Sequence, residues 1–209
     1  MRLKWYFDFI SPFAYLQHCQ FSRLPDSVDI EYKPILFAGL LNHWQNVGPA
    51  EIPPKRIFTY KHCYWRAKKL GIPFKMPPAH PFNSLNALRL AIATGNQKEN
   101  IQTIFESIWR FGFDNNSSEF ISHIEKHLDL KNVQALTAQQ AVKDHLRGNT
   151  EEAVEDNVFG VPTFVVDNQQ FWGLDAFDML LDYIDDPEAF NNPEMKRIET
   201  LPEGVQRKR

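Results

Sequence analysis

The sequence predicts an α/β fold in which a βαβ unit and a ββα unit share one sheet. The first 34 residues show strand, helix and strand patterns in succession, and residues 163–184 show a hairpin followed by a helix. About 115 residues between these units have helical periodicity. We therefore expect an all-helical block to be inserted between the two halves of the sheet.

The N-terminal unit begins with a strand and a capped helix. Residues 3–9 are mostly aromatic and apolar, which is typical of a strand buried for most of its length. Ser11 and Pro12 follow this strand. Serine is a preferred N-cap, and proline fits the first helical position because its missing N–H would be unpaired there. We expect a helix over residues 12–24, which Pro25 ends.

A second strand completes this unit. Residues 28–32 alternate apolar and polar side chains, and Pro34 follows them. A right-handed crossover through the helix is the economical way to place the two strands side by side and parallel.

The middle of the chain predicts loops and helices. Residues 36–54 are loop-like, and residues 72–82 hold four prolines, so both segments are expected to be irregular. Helical patterns cover residues 55–70, 83–94, 97–111, 117–128, 132–147 (ended by Gly148) and 150–157.

The C-terminal unit consists of a hairpin and a helix. Residues 163–167 and 170–172 have strand chemistry and flank the dipeptide 168–169, Asn-Gln, which predicts a tight turn. Asp175 is then expected to cap a helix over residues 176–184.

Together the two units define a thioredoxin-like core (βαβ…ββα) with an inserted all-helical subdomain. We assign residues 1–36 and 149–186 to the core and residues 37–148 to the insertion. Residues 187–209 hold three prolines, many charges and the basic end QRKR, which predicts an exposed arm or a disordered tail.

Composition excludes several classes of function. The net charge of -3 gives no electrostatic reason to expect nucleic-acid binding. Cys19 and Cys63 form neither a C-x-x-C pair nor a zinc spacing, so we expect no disulfide framework, no metal site and two small core residues. No apolar run approaches the ~20 residues of a membrane span, and the N-terminus is typical of a strand rather than a signal peptide. We therefore expect a cytoplasmic protein without membrane contact.

The first helix carries the strongest chemical signal. Thioredoxin-type enzymes place an attacking cysteine where a helix follows the first strand, and the helix start lowers the pKa of that thiol. Here Ser11 and Ala14 replace the C-x-x-C pair, which excludes disulfide exchange at this point. A serine hydroxyl can instead donate a hydrogen bond to the thiolate of another molecule. The alternative is an ordinary serine helix cap.

Two further signals lie near the C-terminal hairpin. Pro162 directly precedes a strand, and a cis Val161–Pro162 bond would turn the Val161 backbone outward to pair with an extended, peptide-like ligand. The alternative is a trans proline that ends a loop. Gly173 permits close backbone approach, and Asp175 starts a second helix that would face the same ligand unless it is only an ordinary cap.

Four segments of the chain together resemble one enzyme family. They read FDFISPFAYL, NHWQNVGPAEIPPKR, HPFNSLNALRLA and FGVPTFVVDNQQFWGLD. From about residue 3 to about residue 181 the chain resembles 2-hydroxychromene-2-carboxylate isomerase. That family is related to kappa-class glutathione transferases and to disulfide oxidoreductases with an inserted helical domain. The helix start S-P-F-A-Y is specific only in combination with F-G-x-P-T-F and F-W-G-x-D.

The resemblance implies glutathione as cofactor. It implies that Ser11, as the catalytic residue, holds and activates the sulfur, and that Val161 before Pro162 pairs with the glutathione backbone. It also implies that four consecutive residues hold the γ-glutamyl end: Trp172, Gly173, Leu174 and Asp175.

The resemblance further implies a substrate pocket and a subunit arrangement. The pocket would draw on Lys33, Asn42, His43 and, in the turn over residues 81–84, Asn83 and Ser84. Members of the family are commonly homodimers. Where the family usually has an arginine after the aspartate of F-W-G-x-D, this chain has Ala176, so the contact of that arginine is not carried over.

The implied activity is a glutathione-dependent isomerisation of a small aromatic acid in aromatic compound catabolism. Two alternatives stay open. One is a kappa-type glutathione transferase, which would join the tripeptide to an electrophile. The other is a non-catalytic thioredoxin-fold protein that binds glutathione or a peptide without turnover.

Overall fold

Four strands form one mixed sheet in the order β2-β1-β3-β4. In the computed structural model, which describes residues 1–205 apart from the side chain of Ala189, these strands are β1 (Arg2–Phe7), β2 (Asp29–Pro34), β3 (Thr163–Val166) and β4 (Gln169–Trp172). β1 pairs with β2 in parallel and with β3 in antiparallel fashion, and β3 pairs with β4 as a hairpin. The N-terminal and C-terminal units therefore share one sheet, which confirms the predicted fold class.

The alternation of side chains along β1 explains why this strand is central. Trp5 and Phe7 face the larger core together with Phe164 of β3, whereas Tyr6 faces a smaller core with Val165. All five side chains are buried. A strand that is apolar on both faces has to lie inside the sheet, with packing partners above and below it.

Ten α-helices surround the sheet in the described part of the chain. They are α1 (Pro12–His18), α2 (Phe37–His43), α3 (Pro53–Leu70), α4 (Leu85–Ala93), α5 (Lys98–Trp109), α6 (Ser118–His127), α7 (Val133–Ala138), α8 (Gln140–Glu155), α9 (Phe177–Asp185) and α10 (Pro193–Glu199). Six of them, α2 to α7, lie wholly between residues 37 and 148, and α8 runs from this segment back towards the sheet. None of the helices within residues 1–205 is long and apolar enough to cross a membrane.

Several predicted boundaries were wrong. α1 ends at His18 rather than at residue 24, and a 3₁₀ turn (Phe21–Arg23) follows it. The segment 36–54, expected as a loop, contains α2, whose first N–H group, that of Phe37, donates to the buried carboxylate of Asp8. A cap supplied by a residue 29 positions away leaves no local signal.

The helices on either side of Gly148 also differ from the prediction. Residues 132–147 form two helices, and the second, α8, continues through Gly148 to Glu155. A glycine inside a helix costs about 1 kcal/mol. Contacts beside it offset that cost, because Asn149 Nδ2 donates to the carbonyl of Pro34 at 3.1 Å and Thr150 Oγ1 accepts from Leu36 N–H at 3.1 Å.

The hairpin and the last helix of the core are shifted by one residue. The turn is formed by Asp167 and Asn168, with φ of 49° and 63°, because these residue types tolerate the left-handed conformation that a tight hairpin turn requires. α9 begins after Ala176, without a side-chain cap from Asp175.

The segment after residue 186 is partly helical. A 3₁₀ turn (Pro187–Phe190) packs the Phe190 ring 5.4 Å from that of Tyr183, and α10 follows without a buried residue. The basic end QRKR, residues 206–209, lies outside the described residues. The division into core, insertion and arm stays a prediction.

Candidate functional site at the start of the first helix

Ser11 is placed where the sheet, α1 and the loop before β3 meet. As the N-cap of α1, its Oγ accepts a hydrogen bond from the Ala14 N–H at 3.2 Å. The same hydroxyl lies 3.5 Å from the carbonyl oxygen of Val161, which is long compared with the ~2.7 Å of a strong O–H···O bond. The hydroxyl proton is therefore weakly held and available to a stronger acceptor. Ser11 is 8% exposed.

The loop before β3 brings Val161 to this hydroxyl. The Val161–Pro162 peptide bond is cis. The Pro162 carbonyl accepts from Gly173 N–H at 2.8 Å, and Thr163 Oγ1 donates to the Gly160 carbonyl at 2.7 Å. Since β3 begins only at Thr163, the backbone of Val161 lies outside the sheet ladder. The backbone of an extended ligand placed beside Ser11 would therefore lie alongside the backbone of Val161.

A buried relay fixes the segment that follows β4. Trp5 Nε1 donates to Gln17 Oε1 at 2.7 Å, and Gln17 Nε2 donates to the carbonyl of Gly173 at 2.9 Å. Gly173 has a φ of +88°, a conformation that favours glycine. Leu174 is buried beside it, and the carboxylate of Asp175 is exposed. The core thus holds residues 172–175 against the loop that contains Val161.

Trp172 covers the same loop from the outside. Its side chain is about half exposed, and its ring lies 5.1 Å from that of Phe159. A Cβ atom at Gly160 would overlap the Trp172 indole nitrogen, so the close approach of the indole to the loop requires glycine at that position. The structure therefore brings Ser11, Val161 and the 172–175 segment together.

Asp8 is a residue of this region to which the sequence analysis gave no role. Its carboxylate is buried and accepts from the N–H groups of Ile10 and Phe37, both at 3.0 Å. Burial raises its pKa to about 6, against the opposing effect of these bonds and of one from the Ser84 side chain. An aspartate between the aromatic residues Phe7 and Phe9 was the signal that could have identified it.

The five residues assigned to a substrate pocket have different surroundings. The Lys33 ammonium is paired with Glu31 at 2.6 Å and with Glu152 at 2.9 Å, so its charge is already compensated. Ser84 is buried, and its side chain bonds to the Asp8 carboxyl. Ser84 therefore supports the segment before Ser11 from inside the protein.

The other three of the five are exposed. Asn42 and His43 end α2, whose next residue, Trp44, donates from Nε1 to the Val158 carbonyl at 2.9 Å. Asn83 accepts from Leu85 N–H at 3.0 Å where α4 begins. Substrate contacts for these residues stay a prediction.

An aromatic surface on α3 adjoins the start of α1. We call Phe58, His62 and Trp65 the α3 aromatic face. The His62 ring lies 5.8 Å from Phe58, 6.0 Å from Trp65 and 5.7 Å from Phe13, which is two residues from Ser11. Phe58 is 67% exposed and Trp65 is 51% exposed. Large exposed apolar side chains next to a polar site are typical of a binding surface.

These features define a class of protein: a thioredoxin-fold chain with a helical insertion and a serine in place of the usual cysteine at the start of its first helix. The family model described as DSBA-like thioredoxin domain matches residues 2–185, and the chain belongs to this family.

Two relatives match most of the chain. The 2-hydroxychromene-2-carboxylate isomerase of Sphingobium xenophagum is 29% identical over 87% of this chain and 97% of its own length. Glutathione S-transferase kappa 2 of Caenorhabditis elegans is 26% identical over 88% of this chain and 92% of its own. A solved 2-hydroxychromene-2-carboxylate isomerase structure has the same fold, with a TM-score of 0.78 at 24% identity over 93% of this chain and 99% of that chain. The resemblance found in the sequence is confirmed.

Proposed function

We propose that this protein is a glutathione-dependent isomerase of the 2-hydroxychromene-2-carboxylate type. The observation that carries the proposal is the pairing of the weakly held Ser11 hydroxyl with the backbone of Val161, 3.5 Å away, where the chain has no thiol of its own. Relatives named as this isomerase and as a kappa glutathione transferase support it.

Glutathione would lie across the three joined segments. Its sulfur would accept a hydrogen bond from Ser11 Oγ, and its peptide backbone would pair with Val161 in strand fashion. The exposed carboxylate of Asp175 would bind the γ-glutamyl ammonium, beside Trp172 and the backbone of Gly173 and Leu174. These residues fit the tripeptide because they offer a donor to the sulfur, backbone outside the sheet ladder to an amide and a negative charge to an ammonium.

Ser11 would have to favour the thiolate form of the sulfur. A free thiol has a pKa of about 8.5, and lowering it to about 6.5 requires roughly 3 kcal/mol of anion stabilisation. α1 has only two turns, so its dipole supplies a part of this energy, and the hydroxyl donor and the desolvated surroundings must supply the rest.

When bound, glutathione would supply a thiolate that can add reversibly to the conjugated double bond of the ring-opened substrate, so that this bond can rotate before the thiolate leaves. Ser11 would stabilise the thiolate by donating a hydrogen bond to it. We propose that Asn42 and His43 contact the substrate carboxylate and that the α3 aromatic face packs against its ring, with Lys33, Asn83 and Ser84 in supporting roles.

In the cell we propose a cytoplasmic homodimer that acts in aromatic catabolism.

Replacement of Ser11 tests the proposal. The Ser11→Ala enzyme should turn over 2-hydroxychromene-2-carboxylate about 10-fold or more slowly, because the sulfur loses its donor. Its fold should lose only about 1 kcal/mol, the usual value of a serine cap. Ser22→Ala, an exposed serine in the turn after α1, is the matched control and should keep full activity. Full activity in the Ser11 variant, or undiminished turnover without glutathione, would refute the proposal.

A kappa-type glutathione transferase is the second candidate. The relative from Caenorhabditis elegans and the exposed α3 aromatic face, which could receive many apolar electrophiles, favour it. A chromophoric aryl halide separates the two activities. A transferase accumulates the glutathione conjugate, whereas the isomerase returns glutathione unchanged and gives little conjugate.

A further inference from the structure

Both backbone groups of Ile10, the residue before Ser11, are held by titratable side chains. The Ile10 N–H donates to Asp8 Oδ1 at 3.0 Å, and the Ile10 carbonyl accepts from His80 Nε2 at 2.8 Å. The Ser11 N–H in turn donates to the Asp8 backbone carbonyl at 3.0 Å. The peptide that leads into Ser11 therefore has its polar groups paired on both sides.

The two side chains connect this peptide to three helices of the insertion. Asp8 Oδ2 accepts from the Phe37 N–H at the start of α2, and the Ser84 side chain before α4 bonds to the same carboxyl. His80 Nδ1 lies 2.9 Å from the hydroxyl of Tyr60 on α3. Because Nε2 faces a carbonyl oxygen, which only accepts, that nitrogen carries a proton.

The hydrogen bonds of the Ile10 N–H and the Phe37 N–H depend on the protonation state of Asp8. The groups that face its carboxylate are the two N–H donors and the Ser84 hydroxyl, and burial raises its pKa to about 6. The ionised carboxylate accepts from both N–H groups, whereas protonation turns one oxygen into a donor that competes with them.

The surroundings of His80 are mostly aromatic. It is faced by the Tyr60 hydroxyl, the Ile10 carbonyl and the rings of Phe82 and Trp109, and burial lowers its pKa. Burial raises the pKa of Tyr60, against the opposing effect of the Arg56 charge on α3. The Tyr60 hydroxyl also donates to the backbone carbonyl of His80 at 2.6 Å. Nε2 donates to the Ile10 carbonyl whatever the role of Nδ1.

We propose that Asp8 and His80 are positioning residues for Ser11, which hold the Ile10 peptide and thereby set the direction of the hydroxyl that meets the sulfur. This inference rests on the proposed function. A donor that is fixed before the thiolate forms does not have to reorganise, and a misplacement of about 1 Å can cost about 100-fold in rate.

Titration of the bound thiol is the decisive measurement. Glutathione is added to the wild-type enzyme and to each variant, and the ultraviolet absorbance of the thiolate is followed against pH. The variants are Asp8→Asn, His80→Leu and His80→Gln, whose amide still donates. His145→Gln, an exposed position on α8, is the control. The kinetic constants for 2-hydroxychromene-2-carboxylate are measured in parallel.

A positioning role makes a specific set of predictions. Asp8→Asn and His80→Leu should raise the pKa of the bound thiol by about half a unit or more and lower kcat about 10-fold, with little change in glutathione Kd. His80→Gln should recover most of this loss, and Asp8→Asn should remove a step near pH 6 from the pH profile of kcat.

The opposite results are equally distinct. An unchanged thiol pKa in folded, glutathione-binding Asp8→Asn and His80→Leu proteins overturns the inference and leaves the proposed function standing. If His80→Leu does not fold, the thiol pKa in Asp8→Asn decides alone. A wild-type enzyme that binds no glutathione overturns the proposed function, and the inference with it.

Discussion

Replacing Gln17 by leucine tests whether the core positions the 172–175 segment. Gln17 is fully buried, and its amide joins Trp5 Nε1 at 2.7 Å to the Gly173 carbonyl at 2.9 Å. Leucine has a similar volume, so the change removes two hydrogen bonds without opening a large cavity. The indole N–H of Trp5 would then be buried without a partner.

The structure gives the size of the expected effect. An unsatisfied buried donor costs about 1–3 kcal/mol, and the loss of the bond to the partly buried Gly173 carbonyl adds about 1 kcal/mol. We therefore expect Gln17→Leu to lower the free energy of unfolding by about 2–4 kcal/mol. Because Gly173 lies in the proposed glutathione site, Kd for glutathione should also rise.

Urea denaturation of the wild type and of Gln17→Leu measures the change in the free energy of unfolding. Titration calorimetry with glutathione measures the change in Kd. Gln20→Leu is the matched control, because the Gln20 amide donates to the nearby carbonyl of Leu16 and accepts from the exposed Arg23. It should change stability by about 0.5 kcal/mol or less. If Gln17→Leu is no more destabilising than Gln20→Leu, the relay does not hold the segment and the reasoning is wrong.

Two further predictions concern stability. Burial lowers the pKa of His18 from 6.5 to about 4. Between these pH values the unfolded chain binds a proton at His18 that the folded chain does not. The free energy of unfolding should therefore fall by about 3 kcal/mol as the pH drops from about 6.5 to about 4. Since other groups titrate equally in both proteins, the difference between wild type and His18→Phe in urea titrations across this range isolates the effect, and parallel curves would contradict it. Gly160→Ala should cost about 1–3 kcal/mol, because the new Cβ displaces the Trp172 indole. In a Trp172→Ala background the same change should cost much less, and equal costs in both backgrounds would show that the indole is not the cause.

Features with a local cause could be predicted from the sequence. The aromatic pattern of β1, the serine cap with its following proline, and the glycine that ends α3 each depend on neighbouring residues. Gly71 follows the last residue of α3 in the left-handed conformation, with a φ of 67°. The absence of a thiol at Ser11 and Ala14 is likewise a statement about the chain alone.

Features created by distant contacts could not be predicted in this way. α2 begins because the carboxylate of Asp8, far away in the chain, accepts its first N–H, and α8 passes through Gly148 because its neighbours bond to β2 and to the segment after it. The burial of Ser84 against Asp8 arises in the same manner.

The sequence by itself therefore determined the order of the elements and the chemical character of the helix start, since both follow from short-range patterns. Only the tertiary structure decided which side chains meet. It placed Val161 beside Ser11, and it placed His80 beside Ile10. A hydrogen bond between residues 70 or 150 positions apart depends on how the sheet and the insertion pack, and no local pattern encodes that packing.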